Sequence, residues 1–364
     1  MKNCGKSKLK YVCEISAGQS APQGNDKYSE NGIPFIRAGN LEALTLRGNE
    51  GLCQKVSQAV AKEHKLKLYP KGTILFAKSG MSTKKGYVHV LKENAYVVSH
   101  LACIIPTDKI EPDFLKYYFL YNKPNRLVRD DSYPSISLLD ISNITIPLPT
   151  LTDQILIINI FKKIEKQIFN KKLQLEKLEQ LAKSRFIEMF GDNHSELVPL
   201  EQLCDFIRNG ANIRQSKGSG GYPITRIETI SNNVFNLDRL GYAGITTLDK
   251  YENYILKNGD ILVSHINSEK YLGRAVQYKG QQKIIHGMNL LCVRPKETTI
   301  ATFLEYYLRS KPTKEYISKI TKKAVNQASF SVSDYKKLLV MNISKNECMA
   351  FNSFIEQLDK SKFR

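Results

Sequence analysis

Apolar positions fall into contrasting patterns along this chain. Short β-branched and aromatic runs, bounded by Gly, Pro and Asn, fill most of residues 1–150 and 193–344 and predict strands. Residues 151–192 read differently. From Leu151 to Phe190 there is neither Gly nor Pro, and charge is dense. Alternate steps of four and three from Ile157 reach Phe161, Ile164, Ile168, Lys171, Leu175, Leu178, Ala182, Arg185 and Met189. All but Lys171 and Arg185 are apolar, the signature of a coiled-coil seam on one long helix. Thr152 or Asp153 can cap its start, and Gly191 stands where a terminating glycine belongs. At ~1.5 Å per residue such a helix is about 58 Å long. It is expected to space two modules or to dock a partner; the other reading is a helix packed on its own domain. In residues 345–364, Ala350, Phe351, Phe354, Ile355 and Leu358 recur at helical spacing and start a second, short helix.

The chain also repeats itself. Tyr69 to Phe76 (YPKGTILF) resembles Leu256 to Val263 (LKNGDILV), 187 positions on, and Gly86 and Gly273 keep that spacing. Phe114 to Phe119 (FLKYYF) matches Phe303 to Leu308 (FLEYYL) at 189, and Ser135 to Asp140 (SISLLD) matches Ser329 to Asp334 (SFSVSD) at 194. Upstream, Gly32 to Arg37 pairs with Gly221 to Arg226. Each half thus holds a short strand ending in arginine, a glycine-led strand, a polar loop, and two further strands (Tyr87 to Val90 and Tyr96 to Ile105 in the first half). A short aromatic helix follows (112–121 and 301–310), then a Ser/Asn-rich connector. This is one mixed α/β module present twice.

Charge narrows the partner. Lys plus Arg is 54 against 35 for Asp plus Glu, a net +19 that points to a polyanion more than to a solubility excess. Seven cysteines, none in a C-x-x-C pair and none clustered with the six histidines, fit reduced thiols in a cytoplasmic protein and argue against a metal site. No signal peptide is read after the lysine-rich start, and no run is long enough to cross a bilayer.

The sequence carries none of the motifs expected of a DNA-modifying enzyme. An amino-methyltransferase would carry an Asn/Asp-Pro-Pro-aromatic motif, yet no Pro-Pro occurs; a G-x-G-x-x-G opening a helix is also missing. Pro112-Asp113 with Lys116 lacks the intervening acid of a nuclease motif, and the histidines form no nucleophile–base pattern. Lys217 to Tyr222 lacks the phosphate-loop pattern and reads as a turn. No catalytic residue is expected in this chain.

Two related but unlike α/β modules, separated by a long helix in a strongly basic chain, resemble the specificity subunits of type I restriction-modification systems. The resemblance covers nearly the whole chain. It rests most on Pro134 to Pro149 (PSISLLDISNITIPLP), on Gln154, and on the helix end Ser184 to Gly191 (SRFIEMFG). It implies two tandem target recognition domains, 1–150 and 193–344, each reading one half of a bipartite site in double-stranded DNA. The helix 151–192 would set their spacing and dock methyltransferase subunits, two of them, with restriction subunits joining where present. S-adenosylmethionine, ATP and Mg would then belong to the partner subunits, with no cofactor in this chain and no membrane partner. In the family a second long helix usually pairs antiparallel with the first; here residues 345–364 read as a short or truncated start of it. The competing readings are a specificity module for a lone or type II-like methyltransferase, and a coiled-coil nucleic-acid adaptor that reads no sequence.

DNA reading needs cations on phosphates and paired hydrogen-bonding groups on base edges. In the first half the loop after the glycine-led strand offers Lys78, Ser79, Ser82, Thr83, Lys84 and Lys85, between flexible Gly80 and Gly86. Its counterpart, His265 to Gly273, offers His265, Asn267 and Lys270 and differs at nearly every other position, as halves that read different sequences should. Tyr133, and Asn326 with Gln327, lie on equivalent connectors. Arg37 and Arg226 close equivalent strands and serve either DNA contact or a structural ion pair. The Tyr117-Tyr118 and Tyr306-Tyr307 pairs sit in apolar helices, where core packing outweighs base stacking.

Overall fold

The computed structural model describes residues 5–191, 196–215, 220–324 and 327–362. It divides into two compact units, Met1–Asn170 and Lys171–Arg364, whose boundary falls inside the long helix.

The first unit is built on a four-stranded antiparallel sheet, in the order Cys13–Ala17, Leu101–Pro106, Ile74–Ala77, Val88–Val90. The second repeats it with Cys204–Asn209, Leu291–Pro295, Ile261–Val263 and Ala275–Gln277. Register repeats too: Leu75 lies opposite Cys103, and Leu262 opposite Cys292. The inner strand Ile74–Ala77 is buried throughout, which is why it reads as a continuous apolar run rather than an alternating one. Gly72 and Gly259, at φ +88° and +95°, make the left-handed turns that enter these strands, a conformation that costs glycine no Cβ clash.

One face of the first sheet (Ile74, Phe76, Ile104) packs on the aromatic helix Pro112–Tyr121 through Phe114, Leu115 and Phe119. The other face (Leu75, Cys103) packs on Phe35, Ile36 and Leu41. In each unit an entering strand pairs with a closing one: Gly5–Lys8 with Thr145–Leu148, and Leu197–Pro199 with Leu339–Met341. The repeated Ser-x-x-Asp pieces are helix caps: Ser137 Oγ accepts the Asp140 N–H, and Ser331 Oγ the Asp334 N–H. The tyrosine pairs are structural. Tyr117 and Tyr307 are buried, and their hydroxyls donate to Glu165 and to the Leu339 carbonyl.

The long helix runs unbroken over Leu151–Phe190. Its cap is Thr150 rather than Thr152 or Asp153: Thr150 Oγ1 accepts the Asp153 N–H and donates to the Asp153 carboxylate. Gln154 is fully buried, accepting from Glu111 N and donating to the Lys109 and Pro149 carbonyls, so it ties the helix start to the aromatic helix. In its middle the seam is open, with Ile164 and Ile168 42% and 51% exposed, while Leu178, Ala182 and Met189 further along pack into the second unit's core.

The C-terminal helix spans Lys345–Lys362, entered through a reciprocal Ser344–Glu347 cap. Phe351, Ile355 and Leu358 are buried as the spacing predicts, but Ala350 faces solvent and Cys348 takes the inward place. This helix packs on Phe303 and Tyr306 and on Phe186 and Phe190 of the long helix. The second unit's connector also holds elements the sequence reading passed over: a helix, Lys311–Ile320, and a hairpin of Lys322–Ala324 with Gln327–Ser329.

Candidate nucleic-acid interface

In the first unit the strand Ile74–Ala77 delivers its chain straight into the loop beginning at Lys78. Lys78 N donates to His100 O, Ile136 N to Lys78 O, and Gly80 N to Pro134 O, at 2.9, 2.7 and 3.0 Å. These bonds bring the loop, the connector and the Ser99–His100 turn to one edge of the sheet. Ser79 Oγ lies 2.8 Å from His100 Nδ1. Tyr133, next to Pro134, is 85% exposed. Local sequence does not join loop to connector, and His100 is not among the residues it singles out, since Tyr96 to Ile105 reads as one strand. The strand in fact breaks between Tyr96–Val97 and Leu101–Pro106, and the polar Ser-His pair inside that apolar run is the signal for it.

Within the loop the candidates divide. Lys84 pairs with Asp131 at 3.0 Å and Lys85 with Glu42 at 3.2 Å, both on the surface, where such pairs are worth little and exchange readily for phosphate. Lys78, Ser79 and Ser82 are partly exposed. Thr83 is 1% exposed and its Oγ1 has no hydrogen-bond partner, so its side chain supports the loop from inside.

The second unit builds the same edge with different parts. Ile266–Asn267 pairs with Gln327–Ser329, which pairs in turn with Lys322–Ala324. Loop and connector thereby form a three-stranded sheet. Asn267 Nδ2 donates to Ser264 Oγ, and its Oδ1 accepts from Ser268 N. Lys270 is exposed beside the Tyr271 ring. His265 is 3% exposed, edge-on to Phe330, and burial pushes its imidazole down to about pKa 4, so the ring is neutral and inside the unit. Gln327 is exposed. Asn326 lies outside the described residues, as do Lys217, Gly218 and Ser219 of the upstream turn.

The two arginines stand apart from these edges in their contacts. Arg37 donates to the Tyr28 hydroxyl at 2.6 Å and lies over the Tyr28 and Phe35 rings. Arg226 faces Glu228 at 3.5 Å. Among the described residues no group of three or more His, Cys, Asp or Glu could hold a metal ion, and no helix is long and apolar enough to cross a membrane.

Comparison with known proteins completes the picture. A family model described as the type I restriction modification DNA specificity domain matches residues 1–180 and again 193–358. A putative type I restriction enzyme MjaX specificity subunit of Methanocaldococcus jannaschii is 39% identical over 46% of this chain and 40% of its own length. The type I restriction enzyme MjaIX specificity subunit of the same organism is 26% identical over 57% of this chain and 49% of its own. The chain thus aligns with less than half of either relative. A structure solved to explain complex assembly and conformational transition of the type I R-M system shares the fold, at a TM-score of 0.55 and 17% identity, over 98% of this chain and 91% of that one.

Proposed function

The chain belongs to the type I restriction modification DNA specificity family, and from that membership we propose that it reads a bipartite, asymmetric DNA site. Residues 1–150 and 193–344 each take one half-site, and the helix over 151–192 holds them apart. One observation carries the reading. The same sheet, with the same strand order and with matching register between its inner strands, occurs twice, yet the edges built on it differ in residue type and in construction. A shared frame with divergent edges suits two unlike half-sites.

On the first edge the DNA contacts are Lys78, Ser79, Ser82, Lys84, Lys85 and Tyr133, with His100 added. On the second they are Asn267, Lys270 and Gln327. Lysines there would neutralise phosphates, while exposed Gln327 carries the paired donor and acceptor that suit adenine and Asn267, its amide held by Ser264 and Ser268, offers its remaining hydrogen-bonding capacity. Thr83 and His265 shape the loops from beneath, and Arg37 and Arg226 brace the strands they follow. Chemistry rests with partners: methyltransferase subunits that bring S-adenosylmethionine, and restriction subunits with ATP and Mg. The exposed seam of the long helix, with Ile164 and Ile168, supports docking of the methyltransferase subunits.

Selection from a random-sequence duplex library by the complex with the methyltransferase subunit tests this. Two short fixed blocks separated by a gap of constant length are expected. Recovery of unselected DNA favours the adaptor reading and contradicts this one.

A further inference from the structure

The spacing between the two copies grows from 189 at the aromatic helices to 194 at the connectors, so the second connector is five residues longer. The hairpin lies in that stretch. Lys322 pairs with Ser329, Lys323 with Ala328 and Ala324 with Gln327. Residues directly opposite share a face, and faces alternate along a strand. One face therefore carries Lys322, Ala324, Gln327 and Ser329; the other carries Lys323 and Ala328. Ala328 is buried, and Lys323 on that inward face reaches Glu269 at 2.8 Å. The opposite face points outward, and Lys322, Ala324 and Gln327 on it are exposed.

The ribbon stands on a firm base. Its inner strand is bonded to Ile266–Asn267. Phe330, at its root, stacks on the buried Tyr335 ring at 5.0 Å, and Phe330 N donates to His265 O. Tyr316 donates to the Asp334 carbonyl at 2.7 Å, tying the preceding helix to the same base. From Tyr316 to Ser333 the chain carries Lys319, Lys322 and Lys323 and no acidic residue.

A two-stranded ribbon fits the DNA major groove, where glutamine bonds adenine at two points and alanine packs on the thymine methyl. We infer that this hairpin is the second unit's major-groove reader. Gln327 reads an adenine, Ala324 across from it contacts a neighbouring thymine methyl, and Lys322 holds a phosphate at the groove wall. The first unit reads instead with a loop, because its shorter connector has no such ribbon among the described residues. This inference rests on the DNA-reading function proposed above.

The test is DNA binding by the complex with the methyltransferase subunit, across every single-base change of the selected site and over a range of salt. Gln327→Ala is expected to lose about tenfold or more of the discrimination at one A·T pair in one half-site, leaving the other half-site intact. Lys322→Ala is expected to weaken cognate and unrelated DNA alike and to flatten the log–log salt dependence by about one. Unchanged thermal unfolding shows that both variants are folded. If the wild-type complex prefers one site and both variants match it, the ribbon is overturned while the DNA-reading function stands. If the wild-type complex prefers no sequence, that function fails and the ribbon falls with it.

Discussion

The Asp260 carboxylate receives two hydrogen bonds from Arg294, from Nε and Nη2, each 2.7 Å long. Asp260 is buried and also accepts from Lys257 N, while the guanidinium lies over the Phe206 ring and donates to Ile255 O. The equivalent positions of the first unit hold Thr73 and Ile105, so this clamp is particular to the second. Removing one partner strands a buried charge. Arg294→Ala is expected to cost about 3–5 kcal/mol in chemical denaturation. Lysine at the same place recovers only part of it, because it cannot make the two-pronged contact. A loss under about 1 kcal/mol, the range of an exposed pair, contradicts the clamp.

Acid should weaken the second unit before carboxylates titrate. Burial lowers His286 and His265 from 6.5 to about 4; for His286 the Leu290 carbonyl and Asp260 pull the other way without reversing it. The unfolded chain takes up these protons first as pH falls. The stability the neutral rings contribute is therefore complete above 6.5 and is lost progressively down to about 4. Each ring adds up to about 1.4 kcal/mol per pH unit to the slope. Unfolding measured from pH 7 to 5 should show that slope, and His286→Asn should flatten it whatever its effect on absolute stability. An unaltered slope in the variant refutes the assignment.

The C-terminal helix is held by aromatic packing. Phe351 is fully buried, with the Phe186 and Phe190 rings both 5.6 Å away and Tyr306 at 5.1 Å. Phe351→Ala should destabilise the chain by about 3–5 kcal/mol. Ala350→Ser, on the exposed side, should stay within about 0.5 kcal/mol. Comparable losses in both variants would contradict the observed orientation of the helix.

The open seam separates docking from folding. Ile164→Lys with Ile168→Lys replaces exposed apolar side chains, so unfolding temperature should hold. Co-purification of the methyltransferase subunit should fall at least tenfold. Retained co-purification removes the seam as the docking surface.

Much of the frame was readable beforehand because its signals are local. A glycine-led apolar run announced Ile74–Ala77 and Ile261–Val263, and the heptad spacing on a stretch free of Gly and Pro announced the long helix. The edges were harder. The strands of the second unit's hairpin are polar and three residues long, and Gln327–Ser329 draws its other partner from Ile266–Asn267, some sixty positions earlier. No local pattern carries such a pairing. Thr83 and His265 looked like surface groups by residue type, yet the packing of their loops buries both. His100 is hidden in the sequence because Ser99 and His100 interrupt an apolar stretch by only two residues, a weak local signal for the break between Tyr96–Val97 and Leu101–Pro106.

The most direct test of the account is genome-wide adenine methylation in cells that carry the cognate methyltransferase subunit, with and without this chain. One bipartite methylated motif should appear only when the chain is present, and exchanging residues 193–344 for those of a relative should change one half of it alone. Methylation that is the same with and without the chain would contradict its role as the reader.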